Sequence, residues 1–383
     1  MSCSRYLGLL ESKSENRSEG CRRALRTWPD SLHWRPPQRA LPTGLRPWTV
    51  NASHHRWCRR PLGRIAAAMT NPRSYPRQPC SMVIDVADWA LDEDFPIYPT
   101  GSKPKRLLIS KTDETSLFLR SGQGYLFKAA HDWQAQQMWS EILAYELSFL
   151  FGVPVPPAFA AIDSNTGEAG VLIELFYRYP RPTARLVHAA DYMQDHFIAG
   201  RKGRPHAVRE NLALCRALKA PSYYEWWAKA VLFDSLLGNV DRHSENWGFI
   251  FERKGDAQSV TLAPLYDNGT SLGYNILEER LAPAWTLEQI EQFVRKGKHD
   301  CGWSHKEDGP MLNIELCRRF FTTFPQYVPM GMAMLGVGRA AIEEIVEWAQ
   351  GFDTPLRFSA ARARFVVDQI TTRQRLLREV LEQ

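Results

Sequence analysis

No stretch of this 383-residue chain comes near the roughly 20 consecutive apolar residues that a membrane-spanning helix needs, so no membrane partner is expected. Its seven cysteines include no CxxC pair. Cys3, Cys21, Cys58 and Cys80 lie near the N-terminus, and Cys215, Cys301 and Cys317 are scattered. That spacing supports neither a zinc site nor a disulfide framework, and reduced thiols in a cytoplasm are the simplest expectation. The glycine-rich signatures GxGxxG and GxxxxGK[ST] are both missing, and no internal repeat is present.

Acidic residues are scarce in one region. Residues 1–81 carry 4 Asp+Glu against 15 Lys+Arg, a balance of +11, and the remainder balances at −5. The overall net charge of +6 therefore belongs to this leader alone. A mildly acidic body gives no reason to expect that it binds nucleic acid. The leader is rich in Arg, Pro, Ser and Trp, has no sustained periodicity and lacks the apolar core of a signal peptide. It reads as a disordered segment, or as an artefact of an upstream start codon with Met69 or Met82 as the true beginning. An Arg-rich arm that touches nucleic acid or anionic lipid is the remaining reading.

The densest chemistry lies in Gly238 to Gly248, GNVDRHSENWG, followed 19 residues later by Asp267-Asn268-Gly269. Before it, Tyr223 to Leu237 (YYEWWAKAVLFDSLL) is apolar on most faces and stops at Gly238, as a buried helix with a glycine stop does. After it, Trp247 to Phe251 and Ser259 to Leu262 predict a hairpin turning through Arg253 to Gln258. Asp241 and Asn246 thus fall on a tight loop between helix and strand, and Asp267 arrives after the hairpin. One carboxylate to orient an attacking hydroxyl, and an amide oxygen plus a second carboxylate to hold magnesium against nucleotide phosphates, form the residue set of a phosphoryl-transfer site. The same residues also permit a metal-dependent hydrolase with Asp241, His243 and Asp267 as ligands.

GNVDRHSENWG followed by LAPLYDNG resembles the HipA-like kinases, and DRHxxN is also similar to the catalytic loop of phosphatidylinositol 3- and 4-kinases. Both families place Asp before His, the reverse of ordinary protein kinases. The resemblance implies an α+β, two-lobed protein-kinase-like fold: a small β-rich nucleotide lobe over 82–180 and a larger, mostly helical catalytic lobe over 181–383. It implies ATP and Mg as cofactors, Asp241 as catalytic base, and Asn246 and Asp267 as magnesium ligands. His243 is either part of the loop's framework, satisfied by backbone groups, or a proton shuttle.

Under that template Tyr125 to Lys128 is a short strand ending in lysine, and a helix over Asp132 to Phe151 follows, with Met138, Ile142, Tyr145 and Phe149 marking one buried face and Glu141 beside it. Lys128 and Glu141 become the ion pair that holds the lysine against the phosphates. The helix closes at Gly152, and the run FGVPVPP is similar to the connection that HipA-like kinases use there. Pro157 to Ile162 and Gly170 to Phe176 predict a β-hairpin. Its second strand leads through Glu174 and Phe176 into the hinge, where backbone groups would meet adenine. Thr100 to Lys105 (TGSKPK) is the candidate phosphate loop, with Gly101, Ser102 and Lys103 at its centre.

Beyond Asp267 the chain predicts scaffold helices. Thr286-Leu287-Glu288-Gln289 has capping-box form, with Leu287, Ile290 and Val294 on one face, a further helix ends at Gly351, and a long one runs from Ala360 to Leu381. Lys296 to Asp300 reads as a solvated helix end. HipA-like kinases phosphorylate Ser or Thr of proteins and sometimes themselves, so the implied partner is a protein acceptor, with the loop Ser110 to Ser121 as a candidate self-target. A phosphoinositide acceptor and a nucleotide-binding pseudokinase module remain as alternatives, and the oligomeric state is open.

Overall fold

The computed structural model describes residues 73, 75–92, 105–177, 179, 183–193, 207–255, 257–304 and 310–383. The first part of the chain builds a six-stranded sheet from β1 (Ile84–Asp85), β2 (Ala90–Leu91), β3 (Lys105–Ile109), β4 (Gly124–Ala129), β5 (Ala158–Asp163) and β6 (Glu168–Glu174). Their order is β1-β5-β6-β4-β3-β2. Only β1 pairs in parallel, with β5; the other neighbours are antiparallel. Strand β4 is therefore central, and its register sets Lys128 opposite Lys105 on one side and Val171 on the other.

Helix α1 (Gln137–Phe151) packs on this sheet. Twelve of its fifteen residues are buried, so the single apolar face expected from Met138, Ile142, Tyr145 and Phe149 is a correction: sheet and helical lobe cover it from both sides. It also starts later than expected. Asp132, with φ 51°, opens a separate 3-10 turn, and the α-helix begins only at Gln137. Its end is the expected one, with Gly152 left-handed at φ 63°.

The helical part holds α2 (Ala189–Met193), α3 (Val208–Ala217), α4 (Tyr223–Leu237), α5 (Leu287–Lys296), α6 (Asn313–Thr323), α7 (Val328–Leu335), α8 (Arg339–Gln350) and α9 (Ala360–Leu381). A second sheet, β7 (Ala184–His188), β8 (Gly248–Lys254) and β9 (Ala257–Leu262), carries the hairpin after the candidate loop, and β10 (Lys298–His299) pairs with β11 (Met311–Leu312). Helix α4 has the bounds that its apolar run predicts. Trp227, Ala230, Val231, Leu232, Phe233 and Leu236 are all fully buried, and α6 and α9 pack over it. Such all-round burial marks a central helix of the lobe.

Three further expectations need correction. The capping box at Thr286 and Gln289 forms, but Leu287 is 74% exposed: Ile290 and Val294 reach the core cluster with Leu281 and Phe365, and Phe293 packs against it. The stretch Lys296 to Asp300 is not simply a solvated helix end, because His299 is fully buried and bonds Asp234 across the lobe. The boundary drawn at residue 81 falls inside packed structure. Gln78 donates to Ala160 O and accepts from the Ala160 N–H, at 2.9 and 2.8 Å, and so ties the preceding segment to β5. Residues 1–72 of the leader, Met69 among them, and residue 74 lie outside the described residues. Among the described residues no helix is long and apolar enough to cross a membrane.

Candidate active site

Strand alternation turns Lys128 to the opposite face of β4 from Tyr125 and Phe127, toward α1 and the helical lobe. Its ammonium donates to Glu141 Oε1 and to Asp267 Oδ1, each at 2.8 Å. Glu141 is 4% exposed, and its second oxygen accepts the Asn268 N–H at 2.9 Å. One carboxylate on α1 therefore links the sheet lysine to the loop Asp267-Asn268-Gly269 of the other lobe. Burial works against the Lys128 ammonium, but Asp267 and Glu141 more than offset it and its pKa is raised. Burial likewise opposes ionisation of Asp267, and Lys128 followed by Lys105 overcomes it, which holds this carboxyl far below the ordinary range. Asp267 has φ 57°, a left-handed conformation uncommon outside glycine, and such strain concentrates at functional sites.

The loop after α4 is built by backbone hydrogen bonds. Gly238 is left-handed at φ 66°, and the Asn239 N–H returns to Asp234 O at 2.8 Å. Asn239 Oδ1 then accepts the Asp241 N–H at 3.1 Å and the Thr270 hydroxyl at 2.9 Å. Asp241 O accepts both the His243 N–H at 2.9 Å and Asn246 Nδ2 at 2.7 Å. The Asn246 amide is thereby oriented, with its nitrogen engaged and its oxygen left to accept. The Asp241 carboxylate itself is half exposed. His243 Nδ1 accepts the Glu245 N–H at 3.2 Å, and its Nε2 lies 3.8 Å from Asp241 Oδ1. A ring nitrogen already engaged by backbone is the framework arrangement.

Beneath the loop lies a buried ionic network that the sequence reading missed. Arg242 is fully buried; its Nε and Nη2 donate to the two oxygens of Asp234 at 3.0 and 2.8 Å. Arg242 also donates to Asn246 O at 2.9 Å, to Asn268 Oδ1 at 2.6 Å and to Tyr266 O. One guanidinium thus ties the loop carrying Asp241 to the segment carrying Asp267. Burial resists charge on Asp234, yet Arg242 and the His299 hydrogen bond hold its carboxyl well below the usual range. The available signal was an Asp in the middle of the apolar run of α4, a charge that needs a partner when buried.

Other expected residues sit differently. Glu174 is 3% exposed and shares a sheet face with Tyr125, whose hydroxyl donates to it at 3.3 Å, while Arg120 stands 3.5 Å away. Burial raises its pKa. Its side chain faces away from Lys128, and its N–H is engaged by Pro157 O at 2.9 Å, so only its carbonyl is left for a ligand. The Phe176 ring stacks on Tyr266 with centroids 5.5 Å apart, and Tyr266 in turn bonds His188 and Glu245 O. Gly101, Ser102 and Lys103 lie outside the described residues. Lys105, the last residue of the candidate phosphate loop, opens β3 beside Lys128; burial and then that neighbouring charge lower its pKa. The loop Ser110 to Ser121 begins beyond the Ile109↔Gly124 pair, at the far end of the hairpin from Lys105↔Lys128. Four residues of strand put about 13 Å between those ends.

Among the described residues no three His, Cys, Asp or Glu side chains gather as a metal cluster, and Asp241, His243 and Asp267 do not converge as the hydrolase reading requires. A small cavity lined by Lys128, Ala130, Gln137, Met138, Glu141 and Val171 adjoins the ion pair.

No curated protein matches the chain. Among solved structures it is similar to the proinflammatory kinase CtkA of Helicobacter pylori, with 15% identity over 78% of this chain and 97% of that one and a TM-score of 0.57. It is also similar to a chain of the Shewanella oneidensis MR-1 toxin–antitoxin complex of HipA, HipB and operator DNA, with 15% identity, 76% and 66% coverage and a TM-score of 0.41. The family described as HipA-like C-terminal domain matches residues 98–314, more than half of the chain. With the two lobes of a kinase-like fold and that match, the chain belongs to the HipA-like C-terminal domain family.

Proposed function

We propose that this protein is an ATP- and Mg-dependent phosphotransferase that passes the γ-phosphoryl group to a Ser or Thr hydroxyl of a protein. The observation that carries the reading is the meeting of Lys128, Glu141 and Asp267, which come from a strand, a helix and a loop of two lobes, at 2.8 Å. Lys128 is held by Glu141 where it can grip the α- and β-phosphates, and Lys105 adds a second positive charge beside it. Asn246 and Asp267 fit magnesium because both offer hard oxygen donors: Asn246 Oδ1 remains once its nitrogen bonds Asp241 O, and Asp267 keeps Oδ2 and its charge. When bound, magnesium would neutralise charge on the phosphates.

Asp241 aligns the incoming hydroxyl and accepts its proton, and its half-exposed carboxylate leaves room for an acceptor. His243 acts as framework. Most of the rate would come from positioning and charge neutralisation. Residues 82–180 supply the nucleotide lobe, extended at its start by the packed segment before Met82, and 181–383 the catalytic lobe. Purified protein incubated with labelled ATP, magnesium and cell lysate tests the reading. A labelled protein acceptor supports it, a labelled lipid favours a phosphoinositide kinase, and nucleotide binding without transfer favours a pseudokinase module.

A further inference from the structure

Helix α1 carries two acidic side chains and no basic one. Glu141 meets Lys128. Glu146, five residues later, stands about 7.5 Å further along the axis and 140° around it, on the side away from the lysine. It is equally buried at 2% exposure, and its partners come from the segment ahead of β1. Arg73 Nη1 donates to Glu146 Oε1 at 3.2 Å and its Nη2 to Oε2, which Arg77 Nε also meets at 3.0 Å. Arg73 lies over the Phe149 ring of the same helix, 4.1 Å from its centroid. Arg77 reaches on to Glu344 of α8 at 3.0 Å.

The same segment is fixed at two more points. Gln78 makes its paired bonds to Ala160 of β5, and Gln78 O accepts the Trp348 indole N–H of α8 at 2.8 Å. Arg73 and residues 75–80 therefore form a strap that joins the sheet, the back of α1 and a helix of the other lobe. A buried carboxylate without a cation is strongly disfavoured, so Glu146 keeps α1 against this strap for as long as the arginines are there.

We propose that Arg73 and Arg77 are positioning residues that, by holding Glu146, keep α1 seated and Glu141 within bonding distance of Lys128. As a statement about Lys128 this stands on the contacts alone; as a statement about phosphoryl transfer it rests on the function proposed above. Without the strap the helix can move outward, and Lys128 loses one of its two carboxylates.

The test is carried out on the full chain bearing Arg73→Ala with Arg77→Ala, and on a second variant, Glu146→Gln, which removes the ion pairs without leaving a bare buried charge. Hydrogen–deuterium exchange of backbone amides, followed by mass spectrometry well below the unfolding temperature, reports how firmly α1 is seated. Exchange over Gln137–Phe151 should rise about tenfold in both variants, while that of α4, which the strap does not touch, stays as in wild type. Arg77→Lys, with Arg73 retained, should stay close to wild type. In a transfer assay the same two variants should raise the KM for nucleotide and lower kcat. Unchanged exchange of α1 in both variants, whatever happens to their melting temperatures, would overturn the proposal. If wild type transfers no phosphoryl group to any acceptor but strap variants still loosen α1, the positioning role stands and the kinase reading falls. If wild type is an active kinase whose α1 exchange and kinetics ignore the strap, the positioning role falls alone.

Discussion

Replacing Asp234 with Asn tests whether the buried network under the loop organises the site. Asp234 is 1% exposed and gives both oxygens to Arg242, itself fully buried, while His299 and Asn239 also bond it. Removing the charge leaves a guanidinium in the interior with no carboxylate, and breaking one side of a buried pair costs about 3–5 kcal/mol. At about 2–4 °C per kcal/mol for a lobe of this size, the melting temperature should drop by about 6–20 °C. Transfer should fall with it although Asp241, Asn246 and Asp267 are untouched, because Arg242 is what fixes Asn246 O, Asn268 Oδ1 and Tyr266 O. Circular dichroism on heating and a labelled-ATP assay at a temperature where both proteins are folded give the two readouts. The pair Asp234→Leu with Arg242→Met should regain much of the stability, since no lone charge is left, yet still fail in transfer. If Asp234→Asn melted within about 2 °C of wild type and turned over normally, the network would be ornamental and the reasoning wrong.

Gly238→Ala should destabilise by about 1–3 kcal/mol in urea unfolding, because φ 66° is strained for an L side chain and the new Cβ would run into the Arg373 guanidinium. The pH dependence follows from Asp234. Its folded pKa is depressed, so its contribution is fully present above the unfolded value of about 4 and is lost as pH falls below it. The gap in melting temperature between wild type and Asp234→Asn should accordingly be constant above about pH 5 and narrow in more acid solution.

The strong periodic and punctuated segments were readable from sequence. Helices α4 and α9, the stop at Gly152, the β8–β9 hairpin and the capping box at Thr286 all follow from apolar runs, glycine and local side-chain chemistry. Strands β1 and β2 escaped because two residues carry no period. Leu287 and Phe149 were misjudged for a related reason: spacing gives a face but not what covers it. At the site, Lys128, Glu141, Asp241, Asn246 and Asp267 could be named from motif order, whereas Asp234, Arg242 and His299 could not. They lie 8 and 57 residues apart along the chain, and only tertiary packing brings them together. Arg73 and Arg77 were hidden in a basic leader whose composition suggested no fold at all.

The most direct measurement compares Asp241→Asn with Asp267→Asn for magnesium-dependent nucleotide binding by calorimetry and for phosphoryl transfer with labelled ATP. The account predicts that Asp241→Asn binds nucleotide as wild type does but transfers nothing, and that Asp267→Asn loses both. Wild-type turnover in Asp241→Asn, or undiminished metal-dependent binding in Asp267→Asn, would contradict it.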